Sequence, residues 1–446
     1  MINVSPWISS RKRVILFIIF DYILFSSILS IFRIENGNIR ILTIYFQQLF
    51  VIIWVFLNYL IENYTLDNLK NLNKYFFYFL RNFIFSFFYI IFISIFDFIP
   101  INFQSGKFVF LIIIYSLSTI FIKILILKFI EKKFYRSKEI YILSQNNDFF
   151  KHLNLFNKYS RINSRLIKFD FDQNNFSQVN NFSTLVVKEF SLLDDFEKKI
   201  VSLLRDKGIK VIDAITWCEV YLQRIPSTLL KRFDLIEFID FNNLSYQFKF
   251  IKRSGDIFIS SFLLIIFSPL ILVSCFLIFL EDFGPAFYSQ ERVGFKGKIF
   301  KLYKLRTMNI NAEKEGIRWS GAKDSRVTNI GSILRKTRID ELPQLICVLK
   351  GEMSLIGPRP ERPYFDSKLI KTIPFYKMRY ITKPGISGWA QVNYSYGASF
   401  SDSENKLSYD LFYLRNISFL LDFLIFLKTI KLVFNLKGSV PGVKYN

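Results

Sequence analysis

Histidine is nearly absent from this 446-residue chain, with His152 the only one. A histidine-ligated metal site is therefore excluded, and any general acid–base chemistry has to come from carboxylates. His152 sits outside every motif described below and reads as an ordinary surface residue. Cysteine is scarce as well: Cys218, Cys275 and Cys347 are far apart. That spacing excludes a disulfide framework and a zinc finger, and it suits a reducing compartment. Acidic residues are outnumbered, 36 Asp and Glu against 59 Lys and Arg, for a net charge of +23. The basic residues flank apolar runs and form no continuous stripe or nucleic-acid-binding motif. Nucleic acid is thus set aside in favour of anionic lipid headgroups and anionic substrates. No internal repeat or long low-complexity linker is evident.

What the chain has in excess is apolar surface. It is 51% hydrophobic with 54 Phe, and its length allows two or three domains. Much of that surplus is expected to face lipid. Arg11-Lys-Arg13 precedes an apolar run at 14–32, and further runs follow at 41–61, 75–99 and 108–130. Each is long enough to cross a bilayer. No small-residue cleavage site follows the first run, so it reads as an anchor. Basic residues before the first run and after the fourth (Lys128, Lys132, Lys133, Arg136, Lys138) place both ends in the cytoplasm, which requires an even number of spans. Asp21 and Asp97 read as helix-packing or interfacial positions. The expectation is an N-terminal four-helix transmembrane bundle over 1–137, multi-pass in the membrane.

Residues 138–246 change character. Strands at 138–143, 183–187 and 209–212 alternate with helices, including one at 192–207, which predicts a Rossmann-like α/β middle domain. The turn after the first strand, Ser144-Gln-Asn-Asn-Asp148, contains no glycine. Without glycine the backbone cannot approach a pyrophosphate closely, so a structural or regulatory role is expected. A third part, 247–446, opens with an apolar segment at 257–280 that is interrupted by Ser268-Pro269 and flanked by cations at both ends. Length alone allows a fifth span. A proline kink and the symmetric charge favour a re-entrant helix over about 254–283 that enters and leaves one leaflet. Residues 419–434 carry Asp422, Lys428 and Lys431 among large apolar residues, a pattern that suits either a headgroup-plane helix or a core-facing one.

The densest chemistry lies further on. Arg335, Lys336 and Arg338 precede adjacent carboxylates, Asp340 and Glu341. Pro343 is close to where a helix would begin, Leu342, Leu345, Ile346 and Leu349 give that helix an apolar face, and Gly351 would stop it. Asp340 then falls at or beside an N-cap, where a carboxylate stays ionised and can serve as nucleophile or metal ligand for a phosphorylated substrate. Alone, these residues favour a mere helix cap, because caps are far commoner than active sites.

The surrounding motifs change that balance. Gln290-Glu-Arg-Val-Gly294, Lys304-Leu-Arg-Thr-Met308, Arg335-Lys-Thr-Arg-Ile-Asp-Glu-Leu-Pro-Gln344, Gly357-Pro-Arg-Pro360 and Pro384-Gly-Ile-Ser-Gly-Trp-Ala-Gln-Val-Asn393 occur in this order. Together they resemble the bacterial sugar transferases, the monotopic phosphoglycosyl transferases. The detailed resemblance runs from about Lys252 to the C-terminus. In looser layout the whole chain resembles the larger members with a membrane-embedded N-terminal half.

The resemblance implies an α/β catalytic domain on the cytoplasmic face of a bacterial inner membrane, anchored by a re-entrant helix. It implies transfer of a sugar-1-phosphate from a UDP-sugar to undecaprenyl phosphate with release of UMP, the first step of exopolysaccharide or O-antigen assembly. Asp340 matches the family's nucleophile, which carries the phosphosugar covalently. Glu341 matches the second member of the dyad and is assigned to metal positioning or proton handling. One Mg²⁺ is expected, with Asp340 and Glu341 as its ligands. Arg335 and Arg359 are phosphate-contact candidates, because guanidinium grips phosphate through two bonds. Arg292, Lys304 and Arg306 form a second basic group that could equally face lipid headgroups. Gln391 is a candidate hydrogen-bond partner of the substrate, while Gly385, Gly388 and Trp389 shape and pack a turn.

Val392-Asn-Tyr-Ser-Tyr-Gly-Ala-Ser399 departs from the glycine-arginine segment of many members, and this leaves the sugar open. The oligomeric state is open too, a homo-oligomer included. All five motifs lie beyond Ser289, so a chain beginning near Gln247 is expected to keep its chemistry. Two rival readings remain: a glycosyltransferase that leaves UDP, and a non-enzymatic membrane scaffold.

Overall fold

The computed structural model describes residues 12–35, 41–60, scattered helical residues between 113 and 125, 140–143, 166–169, 184–190, 193–230, 245–312, 316, 324–394, 397 and 399–434. The chain divides into two compact units, one made of 1–140 with 163–167 and the other of 141–162 with 168–446.

In the first unit, α1 (Lys12–Glu35) packs against α2 (Ile41–Leu60). Phe25 stacks on Trp54 at 5.1 Å, and Trp54 Nε1 donates to the Tyr115 hydroxyl at 3.1 Å. Polar groups tie the two helices together. Tyr22 donates to Gln48 Oε1 at 2.6 Å, and Gln48 Nε2 donates to Ser26 Oγ at 3.1 Å.

Among the described residues, one helix is long and apolar enough to cross a membrane. It is Tyr246–Asp282, in mid-chain. This overturns the expected N-terminal four-helix transmembrane bundle and the multi-pass inner-membrane topology drawn from it. The apolar stretch of α1 narrows to Ile15–Ser27, about 20 Å at 1.5 Å per residue against a hydrocarbon core of roughly 30 Å. The expected runs at 75–99 and most of 108–130 lie outside the described residues.

Next in the chain comes a four-stranded sheet of β1 (Ile140–Leu143), β2 (Leu166–Phe169), β3 (Thr184–Val187) and β4 (Lys210–Asp213), ordered β2-β1-β3-β4, with β3 and β4 in the second unit. β3 and β4 run parallel, and all four residues of β3 are buried, as a strand covered on both faces requires. Between them lies α3 (Asp195–Asp206), whose Asp194 N-cap and Glu197 form a capping box. β4 leads into α4 (Ala214–Trp217), a π turn at Cys218–Leu222 and a 3₁₀ turn at Ser227–Leu229.

That last segment docks on the C-terminal part of the same unit. Gln223 adopts a left-handed conformation (φ 54°) and its carbonyl accepts Trp389 Nε1 at 2.9 Å. Arg224, 1% exposed, donates to Asn405 at 3.2 Å and sits over the Tyr409 ring. The Ile225 amide donates to the Ser408 carbonyl at 2.8 Å, and Asn416 donates to Glu219 at 2.8 Å. These bonds argue against a chain that begins at Gln247 keeping full stability. Such a chain should melt about 5 °C or more below the full-length protein, because Trp389 and Arg224's partners lose their cover. An unchanged melting temperature of the folded C-terminal part would contradict this.

The remaining elements build the site. α5 (Tyr246–Asp282, 37 residues) starts at an N-cap, Ser245, that accepts from the Phe248 amide. β5 (Phe287–Val293) and β6 (Ile299–Leu305) form an antiparallel hairpin. α6 (Asn329–Thr337), a 3₁₀ helix at Ile339–Gln344, and α7 (Leu345–Lys350) follow. β7 (Ser354–Ile356) pairs in parallel with β8 (Gly385–Ser387), with α8 (Pro363–Thr372) and a 3₁₀ helix at Tyr376–Ile381 between them. α9 (Trp389–Asn393), α10 (Phe400–Arg415) and α11 (Phe419–Phe434) close the chain. α11 buries Leu421, Ile425 and Lys428 against the core and exposes Phe419, Leu420 and Phe423.

Both ends of α5 are bonded to this same unit. Near its start, Arg253 donates to the carbonyls of Val348 (2.6 Å) and Leu349 (2.7 Å), capping α7, while Asp256 accepts the Leu355 amide at 3.2 Å. Near its end, Glu281 accepts the Asn329 amide at 2.9 Å, Asp282 pairs with Arg306, and Ile278 packs on Leu305 and Leu334. The middle is exposed and apolar, with Phe258 and Ile265 each 74% exposed. Pro269 removes an amide that would otherwise bond the Ile265 carbonyl, and Ser268 Oγ donates to that carbonyl instead at 2.8 Å.

Candidate active site

The dyad sits on a 3₁₀ helix, Ile339–Gln344, and not on the N-cap of an α-helix. Two residues cause this. Arg338 adopts φ 60°, a left-handed conformation costly for a residue with a Cβ, and so turns the chain sharply out of α6. Pro343 then lacks the amide an α-helix would use. α7 begins only at Leu345 and stops at Gly351 (φ 85°), where the sequence expected a stop. Asp340 and Glu341 therefore lie in the first turn of the 3₁₀ helix, packed against β6 and both buried.

Three cations converge on one oxygen. Glu341 Oε1 accepts from Arg359 Nη2 at 2.6 Å, Lys304 Nζ at 3.2 Å and Arg338 Nη1 at 3.2 Å. Burial alone would raise the Glu341 pKa, but Arg359, Lys304 and Arg338 outweigh it and hold the carboxyl well below the usual range. Asp340 is the opposite case. Burial, and then the neighbouring Glu341 charge, push it up to about 6, against the pull of Lys304, Arg338 and Arg335. Its Oδ1 is buried and has no hydrogen-bond partner among the described residues. Burial also lowers the Lys304 pKa, opposed by Glu341.

The raised value makes Asp340 a stability liability at neutral pH. A group with a raised folded-state pKa stabilises fully below its ordinary value near 4, and that contribution is lost as the pH rises through about 6. At pH 8, in chelator, Asp340→Asn should therefore raise the melting temperature by a few degrees, from roughly 2 kcal/mol of relieved charge burial. At pH 4 the two proteins should melt together. A drop at pH 8 would mean that the carboxylate is favourably held.

The expected phosphate contacts separate into groups. Arg359 and Lys304 are on the dyad itself, and Arg335 is fixed by its Nε donating to Thr307 Oγ1 at 2.9 Å. Arg292 donates to the Pro360 carbonyl at 3.0 Å and to Gln290 at 2.6 Å, so it braces the loop that carries Arg359. Arg306 pairs with Asp282 and holds the end of α5. Gln391 Nε2 donates to the Ile386 carbonyl at 3.0 Å, inside the β8 turn. Arg338, visible in the sequence only as one of three cations, is placed by the structure directly on Glu341.

The glycines explain how the Arg359 loop is held. The Gly385 amide donates to the Pro358 carbonyl and the Gly357 amide to the Ser387 carbonyl, each at 2.9 Å. A Cβ on Gly385 would lie 2.1 Å from the Gly357 nitrogen, so the two segments can only approach as glycines.

For a metal, the chain itself offers little. Among the described residues no group of three or more His, Cys, Asp or Glu side chains could hold an ion. Asp340 Oδ1 is one oxygen open to a hard cation, while Glu341 Oε1 is already engaged by three cations. This donor set fits an ion that arrives with a phosphorylated substrate and completes its shell with phosphate and water oxygens, and it does not fit an all-protein cage.

Residues 247–436 match the family model described as bacterial sugar transferase. A UDP-N-acetylgalactosamine-undecaprenyl-phosphate N-acetylgalactosaminephosphotransferase of Aeromonas hydrophila is 47% identical over 186 residues, which are 42% of this chain and 44% of that one. A Bacillus subtilis (strain 168) protein, named for undecaprenyl-phosphate N-acetylgalactosaminyl 1-phosphate transfer, is 57% identical over 129 residues, 29% of this chain and 72% of its own. A UDP-glucose:undecaprenyl-phosphate glucose-1-phosphate transferase of Escherichia coli (strain K12) is 35% identical over 199 residues, 44% of this chain and 42% of that one. The matches thus span less than half the length of the Aeromonas and Escherichia relatives, and the family model covers the part of the chain that holds the dyad, its three cations and the glycine-locked loop. By that match, the chain belongs to the bacterial sugar transferase family.

Proposed function

We propose that this protein transfers a sugar-1-phosphate from a UDP-sugar to undecaprenyl phosphate, releasing UMP, as an early step in building a surface polysaccharide. The observation that carries the reading is Asp340 Oδ1, a buried carboxylate oxygen without a partner among the described residues, beside a Glu341 whose charge is taken up by three cations. A structural cap would be bonded, whereas a nucleophile has to keep an oxygen open.

In this reading an Asp340 carboxylate oxygen attacks the β-phosphorus of the UDP-sugar. The bond from that phosphorus to the bridging oxygen breaks, and UMP leaves with the electron pair. The sugar phosphate stays on Asp340 as an acyl phosphate. An oxygen of polyprenyl phosphate then attacks the same phosphorus, the carboxylate departs, and the product is a polyprenyl diphosphate sugar. Arg335, Arg338, Arg359 and Lys304 supply a fixed positive field for the phosphates, which is the main lever in phosphoryl transfer. Glu341 holds three of those cations in place. Asp340 would be the residue to hold a Mg²⁺, and the ion would supply charge neutralisation for the phosphates.

The two relatives at 47% and 57% identity carry N-acetylgalactosamine in their names, and the glucose enzyme is at 35%. UDP-N-acetylgalactosamine is therefore the donor we propose first. Assaying a panel of UDP-sugars with undecaprenyl phosphate and Mg²⁺ tests the reaction: UMP supports it, whereas UDP would point to a plain glycosyltransferase.

The acceptor is a lipid, and the exposed apolar middle of α5 suits a dip into one leaflet, since both helix ends are bonded to one unit. Cysteines placed at Lys249 and at Lys296, in a chain otherwise free of cysteine, should react from the same side of a sealed vesicle. Reaction from opposite sides would mean that α5 crosses.

A further inference from the structure

We propose that Arg379 is a positioning residue for Arg359, setting the guanidinium that grips Glu341 by pinning the Arg359 backbone; the proposal rests on the transfer reading above. Arg379 lies on the 3₁₀ helix Tyr376–Ile381, outside the five sequence motifs. It touches neither carboxylate of the dyad, yet its whole guanidinium is engaged. Nη2 donates to the Arg359 carbonyl, Nε donates to Asp410 Oδ2 at 2.9 Å, and Nη1 donates to the Tyr376 hydroxyl. Asp410 is 1% exposed and Tyr376 is 3% exposed, so both partners are fixed by burial. Tyr380, the next residue, bonds Asp366 of α8 at 2.6 Å and holds the turn from its other side.

The consequence runs through one peptide. Arg359 sits between Pro358 and Pro360, and its carbonyl direction and its side-chain direction are set together by that restricted backbone. With the carbonyl held, Nη2 reaches Glu341 Oε1 at 2.6 Å, the shortest of the three contacts on that oxygen. A planar fork donates from three separate nitrogens to partners spread around it, a span that the single nitrogen of an ammonium group does not reach. Asp410 comes from α10, the helix on which Arg224 and Ile225 dock, so the dyad is braced from the far side of the unit.

A double-mutant cycle on the full-length chain tests this. Arg379→Lys and Tyr376→Phe are each made alone and in combination with Arg359→Lys, and kcat and KM for UMP release are measured with UDP-N-acetylgalactosamine and undecaprenyl phosphate beside thermal melting. Arg379→Lys should lower kcat by on the order of 10–100-fold, the scale of a misplaced contact. Tyr376→Phe, which removes one hydroxyl, should lower it a few-fold and keep the fold. In the Arg359→Lys background both effects should largely vanish, because the contact they position is already gone. Losses that multiply in full in both backgrounds, or that follow the melting temperature alone, would overturn the proposal. If Arg379→Lys does not fold, the Tyr376→Phe arm carries the same test. A folded wild-type protein that turns over no UDP-sugar would overturn the transfer reading and this inference with it, whereas normal wild-type turnover with multiplicative losses sinks only the inference.

Discussion

Asp340→Asn should lower transfer by on the order of 10³-fold or more, as expected when a group acting in the transition state is lost. The substitution keeps the size of the side chain but removes the charge of the oxygen proposed to attack. Two features of the site separate this from a folding defect. Asp340 Oδ1 has no hydrogen bond among the described residues, so the change removes no structural contact there. Burial already raises its pKa to about 6, so the neutral amide should fold at least as well at pH 7 and above. The expected result is an inactive protein with an equal or higher melting temperature. Glu341→Gln should behave differently. It leaves Arg359, Lys304 and Arg338 converging without their common anion, so both activity and stability should fall. An Asp340→Asn protein with near-normal turnover would reduce the dyad to a helix start.

Gly385→Ala should be the most damaging change of a single small residue. Its Cβ would stand 2.1 Å from the Gly357 nitrogen and 2.4 Å from the Ser387 carbonyl oxygen, both backbone atoms that cannot step aside. The strand pair β7–β8 would have to part, at a cost above about 3 kcal/mol. That is a fall of roughly 6–12 °C in melting temperature for a unit of this size. The loop carrying Arg359 hangs from the same pair through the Gly385 amide and the Pro358 carbonyl, so activity should fall more than stability does. Differential scanning calorimetry beside a UMP-release assay reads both effects. A melting temperature within 2 °C of wild type would mean that the two segments are not locked together in solution.

The sequence carried the chemistry further than the architecture. Asp340, Glu341 and Arg359 stand in short motifs whose residue types and order speak for themselves, and the structure brings Arg359 and Lys304 onto Glu341. Arg338 was legible as a cation, but its left-handed turn, which aims it at the dyad, has no local signal because glycine or asparagine is the usual marker of that conformation. The Arg379–Asp410 pair joins residues 31 apart, on two elements that meet only in the folded unit. No window of sequence displays such a contact. Arg306 reads as one of a second basic group that suits phosphate or lipid headgroups alike, and its pairing with Asp282, 24 residues earlier, has no local signal.

The N-terminal reading failed for a different reason. Run length and flanking charge suggested four spans, whereas among the described residues only Tyr246–Asp282 is long and apolar enough to cross, and the apolar stretch of α1 narrows to Ile15–Ser27. The docking of the middle segment on the catalytic part has no sequence signal: it runs through Gln223 to Trp389 and through Arg224 to Asn405 of α10.

The most direct test of the account is intact-mass analysis of the full-length protein with UDP-N-acetylgalactosamine and Mg²⁺ in the absence of polyprenyl phosphate. UMP should appear in a single burst no larger than the amount of enzyme, the protein should gain the mass of one phosphosugar, and fragmentation should place it on Asp340. Adding undecaprenyl phosphate should then discharge the adduct. A burst with no change in mass, or an adduct that persists in Asp340→Asn, would contradict the assignment of Asp340 as the nucleophile.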